Sequence, residues 1–205
     1  MAKKESSLKN MVLTLGMICL VSSALLGFVY QVTAGPKQAA ELVKRTFAIG
    51  KVLPDFDNQP YDESFKIPSI DGGDSLVCYV GRMNGTQVGT AVQTWTLKGF
   101  SGLVRLMVGF DANGKIFNIS VLEQKETAGL GAKMTEASFL EQFVGTDPGA
   151  QTLKVKKDGG NIDALSAATI SSRAFCDAVQ RAYDSCFGKK SSDADSVSGA
   201  TQTNQ

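Results

Sequence analysis

No charged residue interrupts the chain between Lys9 and Lys37, and residues 11–30 of that interval read MVLTLGMICLVSSALLGFVY. A helix needs about 20 mostly apolar residues to cross the hydrocarbon of a bilayer, and this run suffices. The apolar core of a cleaved signal peptide is shorter, about 7–15 residues. Thr33-Ala34-Gly35 imitates a cleavage site only loosely. The run is therefore read as an uncleaved, single-pass anchor. Lys3, Lys4 and Lys9 precede it, with Glu5 the only acid there. Positive flanks stay on the cytoplasmic side. The N-terminus is thus expected in the cytoplasm and the remainder on the periplasmic, outer side of the cytoplasmic (inner) membrane. A single span without internal charge has no group to coordinate an ion, so it is not a channel or pump by itself.

The rest of the chain divides by pattern. Residues 1–35 form the cytoplasmic N-terminus and anchor, 36–188 a folded outer domain, and 189–205 (KKSSDADSVSGATQTNQ) a polar, flexible tail. Pro36 to about Leu53 repeats apolar residues at helical steps. Pro36 suits a helix start and Pro54 an end. Residues 54–75 read as irregular. The period then shifts to two. Leu76–Val80, Gly89–Leu97, Leu103–Phe110 and Lys115–Leu122 predict four strands, mainly antiparallel. Asp111-Ala112-Asn113-Gly114 marks a hairpin. A helix is expected at Thr135–Phe143 with Thr135 as N-cap, and a short strand at Leu153–Val155. A last helix spans Thr169 to Phe187, with Gly188 as its stop. The fold class is α+β: an antiparallel sheet with flanking helices behind one transmembrane helix.

Composition excludes several chemistries. Among 205 residues there is no histidine, so Ser-His-Asp triads, Cys-His dyads and His-ligated metals are ruled out. The net charge of +1 argues against a nucleic-acid binder. No G-x-G-x-x-G follows a strand, which argues against bound NAD. Cys19 lies in the span. Cys78, Cys176 and Cys186 lie in the outer domain without a C-x-x-C, which removes thioredoxin-like, zinc-ribbon and iron–sulfur readings. Cys176 and Cys186 share one helix about 15 Å apart by rise, too far for a disulfide. Pairing of Cys78 with either is left open by the sequence; buried free thiols are the preferred reading.

Two segments carry the chemistry. Asp163-Ala164-Leu165-Ser166-Ala167-Ala168-Thr169 is a small-residue loop that feeds a helix N-terminus. Such an end presents unbonded N–H groups and partial positive charge, which suit an anion such as a phosphate. Ser166, Thr169, Ser171 and Ser172 add hydroxyls, and Ala167 and Ala168 permit close approach. An ordinary capping loop, with Ser166 or Thr169 as the cap, explains the same residues. Glu126-Thr127-Ala128-Gly129-Leu130-Gly131 follows a strand, and its glycines permit a tight loop with amides facing a ligand. A plain strand-to-helix turn explains it equally well. Gly99-Phe100-Ser101-Gly102 is a third glycine-bounded turn with the same ambiguity.

Taken together, these segments resemble the FMN-binding G subunit of the Rnf electron-transport complex, and the related C subunit of the sodium-translocating NADH:quinone reductase. The resemblance runs from the anchor to about Phe187. It implies a covalent FMN whose phosphate is esterified to the threonine of an S-[GA]-A-T motif, here Thr169 within Ser166-Ala167-Ala168-Thr169. Asp163 matches the acid that opens the motif, and Glu126, Thr127, Gly129, Leu130 and Gly131 match the family's Glu-Thr-Pro-Gly-Leu-Gly loop. The family also implies the other Rnf subunits as partners, a flavin transferase for maturation, and coupling of electron flow between ferredoxin and NAD to ion translocation. Three positions depart from the pattern. Ala128 replaces Pro, and Gln124 replaces a common His. Ala167 replaces the commonest Gly, so its φ must be negative or strained. Asp195 to Thr201 repeats the motif spacing in the tail, which makes Thr201 a candidate second attachment site. The rival reading of another class is a membrane-anchored binding or assembly module without flavin.

Overall fold

The computed structural model describes residues 8–188. The described residues separate into two compact units, divided between Lys44 and Arg45. The first described element, α1 (Leu8–Val52), is one helix of 45 residues. It is the one helix among the described residues long and apolar enough to cross a membrane, with a mean hydropathy of 2.3 over its most apolar stretch. Pro36 lies inside α1 rather than at a helix start. A proline removes the N–H that would bond the carbonyl four residues earlier, here Val32. The residues around it are mostly exposed, so that carbonyl is not sealed in a core.

In the second unit a five-stranded antiparallel sheet forms in simple sequence order. Its strands are β1 (Phe65–Ile67), β2 (Leu76–Met83), β3 (Thr86–Gly99), β4 (Gly102–Asp111) and β5 (Ile116–Gln124). The four strands read from the period-two pattern are all present. The fifth, β1, is three residues long, too short to show a period, and forms by pairing with the edge of β2. The β2–β3 turn is Asn84-Gly85, with φ of 52° and 77°; such left-handed pairs match the twist of a hairpin. At the β4–β5 turn, Asp111 Oδ1 accepts from the amides of Asn113 and Lys115 at 2.8 and 2.9 Å, and Gly114 takes the positive φ.

Alternation along the strands gives the sheet two covered faces. On one face Leu76, Cys78, Val92, Val104, Leu106, Val108 and Phe110 pack under α3 (Thr169–Phe187). Thr94 Oγ1 donates to the Ala178 carbonyl at 3.0 Å within this layer. On the other face Tyr79, Ala91, Met107 and Leu122 meet Ala48, Ile49, Val52 and Leu53. Gly109 makes that second contact possible: a Cβ there would lie 1.7 Å from the Val52 carbonyl oxygen.

The connection from β5 to α3 departs most from the sequence reading. Gly131–Thr135 is a 3-10 turn, followed by the short helix α2 (Ala137–Leu140). Thr135 does not cap α2: Glu136 precedes it without a side-chain bond, and Thr135 Oγ1 donates back to the Ala132 carbonyl. Phe139, Phe143 and Phe175 form a trio with centroids 5.0–5.4 Å apart, which fastens α2 to α3. Leu153–Val155 is not a strand. The Leu153 amide is taken by Gln180 Oε1 of α3 at 2.9 Å, and Val155 makes an isolated bridge with Ile162. A side chain thus takes the place of a strand partner. The helix α3 has the bounds read from the sequence. Gly188 at its end is right-handed, with φ of −67°, so it does not use the left-handed freedom that makes glycine a common helix stop.

Candidate functional site

Three chain segments far apart in sequence meet at the N-terminus of α3. They are the β3–β4 turn, the Glu126–Gly131 loop after β5, and residues 167–171. Together they line a cavity of about 310 Å³, at the lower end of small-molecule sites, roughly 300–1,000 Å³. Its walls are Phe100, Glu126, Thr127, Leu130, Gly131 and residues 167–171.

Glu126 holds the three segments together. Its side chain is buried, with the residue 8% exposed. Oε2 accepts from the Ser171 hydroxyl at 2.7 Å, and Oε1 accepts from the Ser101 amide at 3.0 Å. Two glycines make room for it. A Cβ on Gly99 would sit 2.6 Å from Oε1, and one on Gly131 would sit 2.7 Å from both Oε2 and the Ser171 oxygen. The glycines of two loops therefore serve close approach around one buried carboxylate. In the Glu126–Gly131 loop, the amides of Leu130 and Ala132 bond back to the Thr127 carbonyl. Those amides close the loop rather than face a ligand.

The entry to α3 is an uncapped helix end. Its N-cap is Ala168, with no side-chain cap bond. Neither Ser166 nor Thr169 acts as the cap. Ser172 is turned inward: its hydroxyl accepts from the Leu165 amide and donates to the Ala168 carbonyl. With Ser171 committed to Glu126, two of the four hydroxyls read as ligand groups are spent inside the fold. Thr169 is half-buried and lines the cavity. The amides of a first helical turn have no intrahelical acceptor, and here the cavity lies against that turn.

The loop reaches the helix through a tight turn. The Ala168 amide bonds to the Leu165 carbonyl at 3.0 Å, with Ser166 and Ala167 as the central residues. Ala167 has φ of 56°. A turn with positive φ at its third position favours glycine, and an L-residue there is strained. Of the two conformations left open by the sequence, the strained one is observed.

One cation that the sequence reading does not single out stands beside Thr169, outside the residues that line the cavity. Lys157 Nζ donates to Thr169 Oγ1 at 3.4 Å. It is carried by the 3-10 turn Lys156–Asp158, and Asp158 is gripped by Arg173 of α3 in a two-bond pair at 2.6 Å each. That hydrogen-bonded pair holds the Asp158 carboxyl below its usual range. The adjacent Lys156-Lys157 is the only sequence signal, and a surface lysine pair is ordinarily silent. Ile170 also escapes the sequence reading as a wall residue, whereas Phe100 belongs to the third glycine-bounded turn read there; both are exposed at the cavity, at 49% and 69%.

Of the residues read from the sequence, Glu126, Thr127, Leu130, Gly131, Ala167, Ala168 and Thr169 are brought together. Asp163 stands apart from the lining. It is exposed, pairs with Lys156 at 2.7 Å, and its amide donates to Gln142 Oε1. Ser166 and Gly129 are exposed and also outside the lining, Gly129 serving as a turn residue with φ of 76°. Thr201 lies outside the described residues.

The donor set fits a phosphate-bearing flavin. It offers a hydroxyl, an uncapped helix end, an ammonium and an apolar rim of Phe100, Leu130 and Ile170. Among the described residues no group of three or more His, Cys, Asp or Glu side chains could hold a metal.

Known proteins share much of this chain. Residues 99–184 match the family model for the FMN-binding domain. The chain is 33% identical over 191 residues to the G subunit of the ion-translocating oxidoreductase complex of Pseudomonas aeruginosa, covering 88% of this chain and 89% of that one. It is 34% identical over 185 residues to the G subunit of the Na(+)-translocating ferredoxin:NAD(+) oxidoreductase complex of Acetobacterium woodii, covering 83% and 89%. Among solved structures, the C subunit of the Na(+)-translocating NADH-quinone reductase from Parabacteroides distasonis aligns over 65% of this chain and 75% of its own. It does so with a TM-score of 0.44 and 17% identity.

Proposed function

Because the chain belongs to the G-subunit family of ion-translocating oxidoreductase complexes, we propose that it is the flavin-bearing electron carrier of an Rnf-type membrane complex, with FMN held covalently on Thr169. In this reading residues 1–35 anchor the chain with the N-terminus in the cytoplasm. Residues 36–188 carry the flavin on the outer side; the tail read at 189–205 lies outside the described residues. The complex moves electrons between ferredoxin and NAD and couples that flow to ion translocation. A flavin transferase attaches the cofactor.

The observation that carries this proposal is the convergence of Thr169, an uncapped helix N-terminus and two glycine-bounded loops on one cavity. FMN, when bound, supplies the uptake and release of electrons. The protein's own residues then have distinct tasks. Thr169 Oγ1 is the ester oxygen. The first amides of α3 and the helix dipole favour the negative phosphodiester, and Lys157 adds an ammonium beside the same oxygen. Phe100, Leu130 and Ile170 shield the site from water. Glu126 does not bind the cofactor's anion; a carboxylate would repel it. Its task is to hold the three walls in register. No side-chain acid or base is needed for electron carriage, which suits a chain without histidine.

The test is in-gel fluorescence of the full-length protein after denaturation, made alongside a flavin transferase. Thr169→Val should abolish the covalent flavin signal, and Thr169→Ser should keep much of it. Peptide mass spectrometry should place the adduct on Thr169. A colourless wild-type protein overturns the flavin reading. Full labelling of Thr169→Val with loss in Thr201→Val moves the attachment to the tail.

A further inference from the structure

Two cysteines far apart in sequence meet under the far end of α3. Cys78 is fully buried on the face of β2 that α3 covers. Cys186 lies in the last turn of α3, half-buried and packed against the same cluster. It continues the helix's buried stripe of Phe175, Val179 and Ala182 at helical spacing. Its neighbours pin this turn to the domain. Ser185 Oγ accepts from the Ile70 amide at 3.1 Å, and Phe187 meets the Phe110 ring edge-on at 5.3 Å. Cys186 packs against the cluster that holds Cys78 and is the hydrogen-bond partner of its thiol.

We propose that Cys78 and Cys186 are a disulfide-forming pair that closes after the domain leaves the cytoplasm and cross-links the C-terminal turn of α3 to β2. The compartment follows from the orientation proposed above; the pairing follows from the contact. In the reaction each thiol loses a proton and an electron, and one S–S bond forms. The two electrons and two protons reduce the disulfide of an extracytoplasmic thiol oxidant to a dithiol. Cys186 is the accessible partner and attacks first, displacing one oxidant sulfur and forming a mixed disulfide. Cys78 then attacks the Cys186 sulfur, and the second oxidant sulfur leaves. The bond to Cys186, with burial, raises the Cys78 thiol well above the ordinary range. Buried where Cys186 is accessible, Cys78 is the resolving thiol, the second of the two to attack. Cys176 takes no part. It is 2% exposed, burial pushes its thiol up to about 12, and its position in the same helix puts it about 15 Å of rise from Cys186.

The consequence falls on the site, since α3 carries Thr169 at its other end. A cross-link at Cys186 fixes the rod whose first turn presents the attachment residue.

Full-length protein in detergent is equilibrated with oxidised glutathione, quenched in acid and alkylated without reductant. Peptide mass spectrometry then reads the linkage. The expected result is the Cys78 peptide joined to the Cys186 peptide, with Cys176 alkylated. Reduction should lower Tm by something on the order of 10 °C for a closed loop of this length. Cys186→Ser, at a half-buried position, should abolish both effects, and Cys176→Ser should keep both. Alkylation of Cys78 and Cys186 in the fully oxidising buffer overturns the proposal. So does glutathione on Cys186 with Cys78 alkylated. The assay reads no flavin, so it stands apart from the test of Thr169.

Discussion

Replacing Ala167 by glycine should stabilise the protein, against the usual direction for a glycine substitution. Ala167 sits at the third position of the turn that the Ala168 amide closes onto the Leu165 carbonyl, with φ of 56°. An L-residue in that region costs roughly 1–2 kcal/mol. Glycine removes the cost but adds unfolded-chain entropy worth roughly 0.5–1 kcal/mol. The difference favours Ala167→Gly by about 0.5–1 kcal/mol. For a domain of this size each kcal/mol moves Tm by about 2–4 °C, so a rise of about 1–4 °C is expected.

The assay is thermal unfolding of the full chain in detergent, without cofactor, followed by near-UV circular dichroism. Ala167→Val supplies the opposite sign. A β-branched residue at positive φ is a genuine outlier, and Tm should fall by more than glycine raises it. Ala167 also lines the cavity, and losing its Cβ opens the approach to Thr169. Flavin attachment in Ala167→Gly should therefore proceed at least as fast as in the wild type. A lower Tm for the glycine variant, or a valine variant as stable as wild type, would refute the strained-turn argument.

Gly109→Ala should be strongly destabilising, by roughly 3 kcal/mol or more, because its Cβ would overlap the Val52 carbonyl oxygen and lift the end of α1 from the sheet. Urea unfolding monitored by the single tryptophan checks this. Lys157→Gln should slow flavin attachment about two- to fivefold, the equivalent of an exposed ion contact of about 0.5–1 kcal/mol. It should leave Tm within about 1 °C. A time course of in-gel fluorescence with the transferase measures it, and an unchanged rate would remove Lys157 from the site.

The sequence revealed most where one local pattern dominated. Residues 11–30 announce a span by length alone, and Thr169–Phe187 announces a helix by spacing. The strands β2 to β5 follow from short runs of β-forming residues bounded by turn signals, and with both sheet faces covered those runs are more continuously apolar than a half-exposed strand. It revealed least where a distant partner decides the local form. Phe65–Ile67 is a strand only because β2 has an edge to offer. Leu153–Val155 is not one, because Gln180 of α3 takes the Leu153 amide. Pro36 punctuates a helix in most contexts, yet α1 continues through it. The Ser166–Thr169 segment stands out by resemblance, whereas the cation beside Thr169 does not. Lys157 reaches Thr169 through a turn held by Arg173 and Asp158, and no spacing rule links those three positions.

Glu126 shows why the motif's spacing and its geometry are different information. As a sequence, Glu-Thr-Ala-Gly-Leu-Gly suggests a loop whose backbone receives a ligand. In the fold, the loop's Leu130 and Ala132 amides are spent on Thr127, and the glutamate accepts from two neutral donors, Ser171 and Ser101. A buried carboxylate held by neutral donors is costly to keep unless it joins elements that would otherwise drift. Here it joins the end of a hairpin, the loop after β5 and the first turn of α3. Gly99 and Gly131 leave the room that the carboxylate occupies, since a Cβ on either would strike it, and one on Gly99 would also strike the Gly102 carbonyl oxygen. Two glycines that read as parts of binding loops thus frame one acidic side chain, and that side chain ties the first turn of α3, which carries Thr169, to both loops.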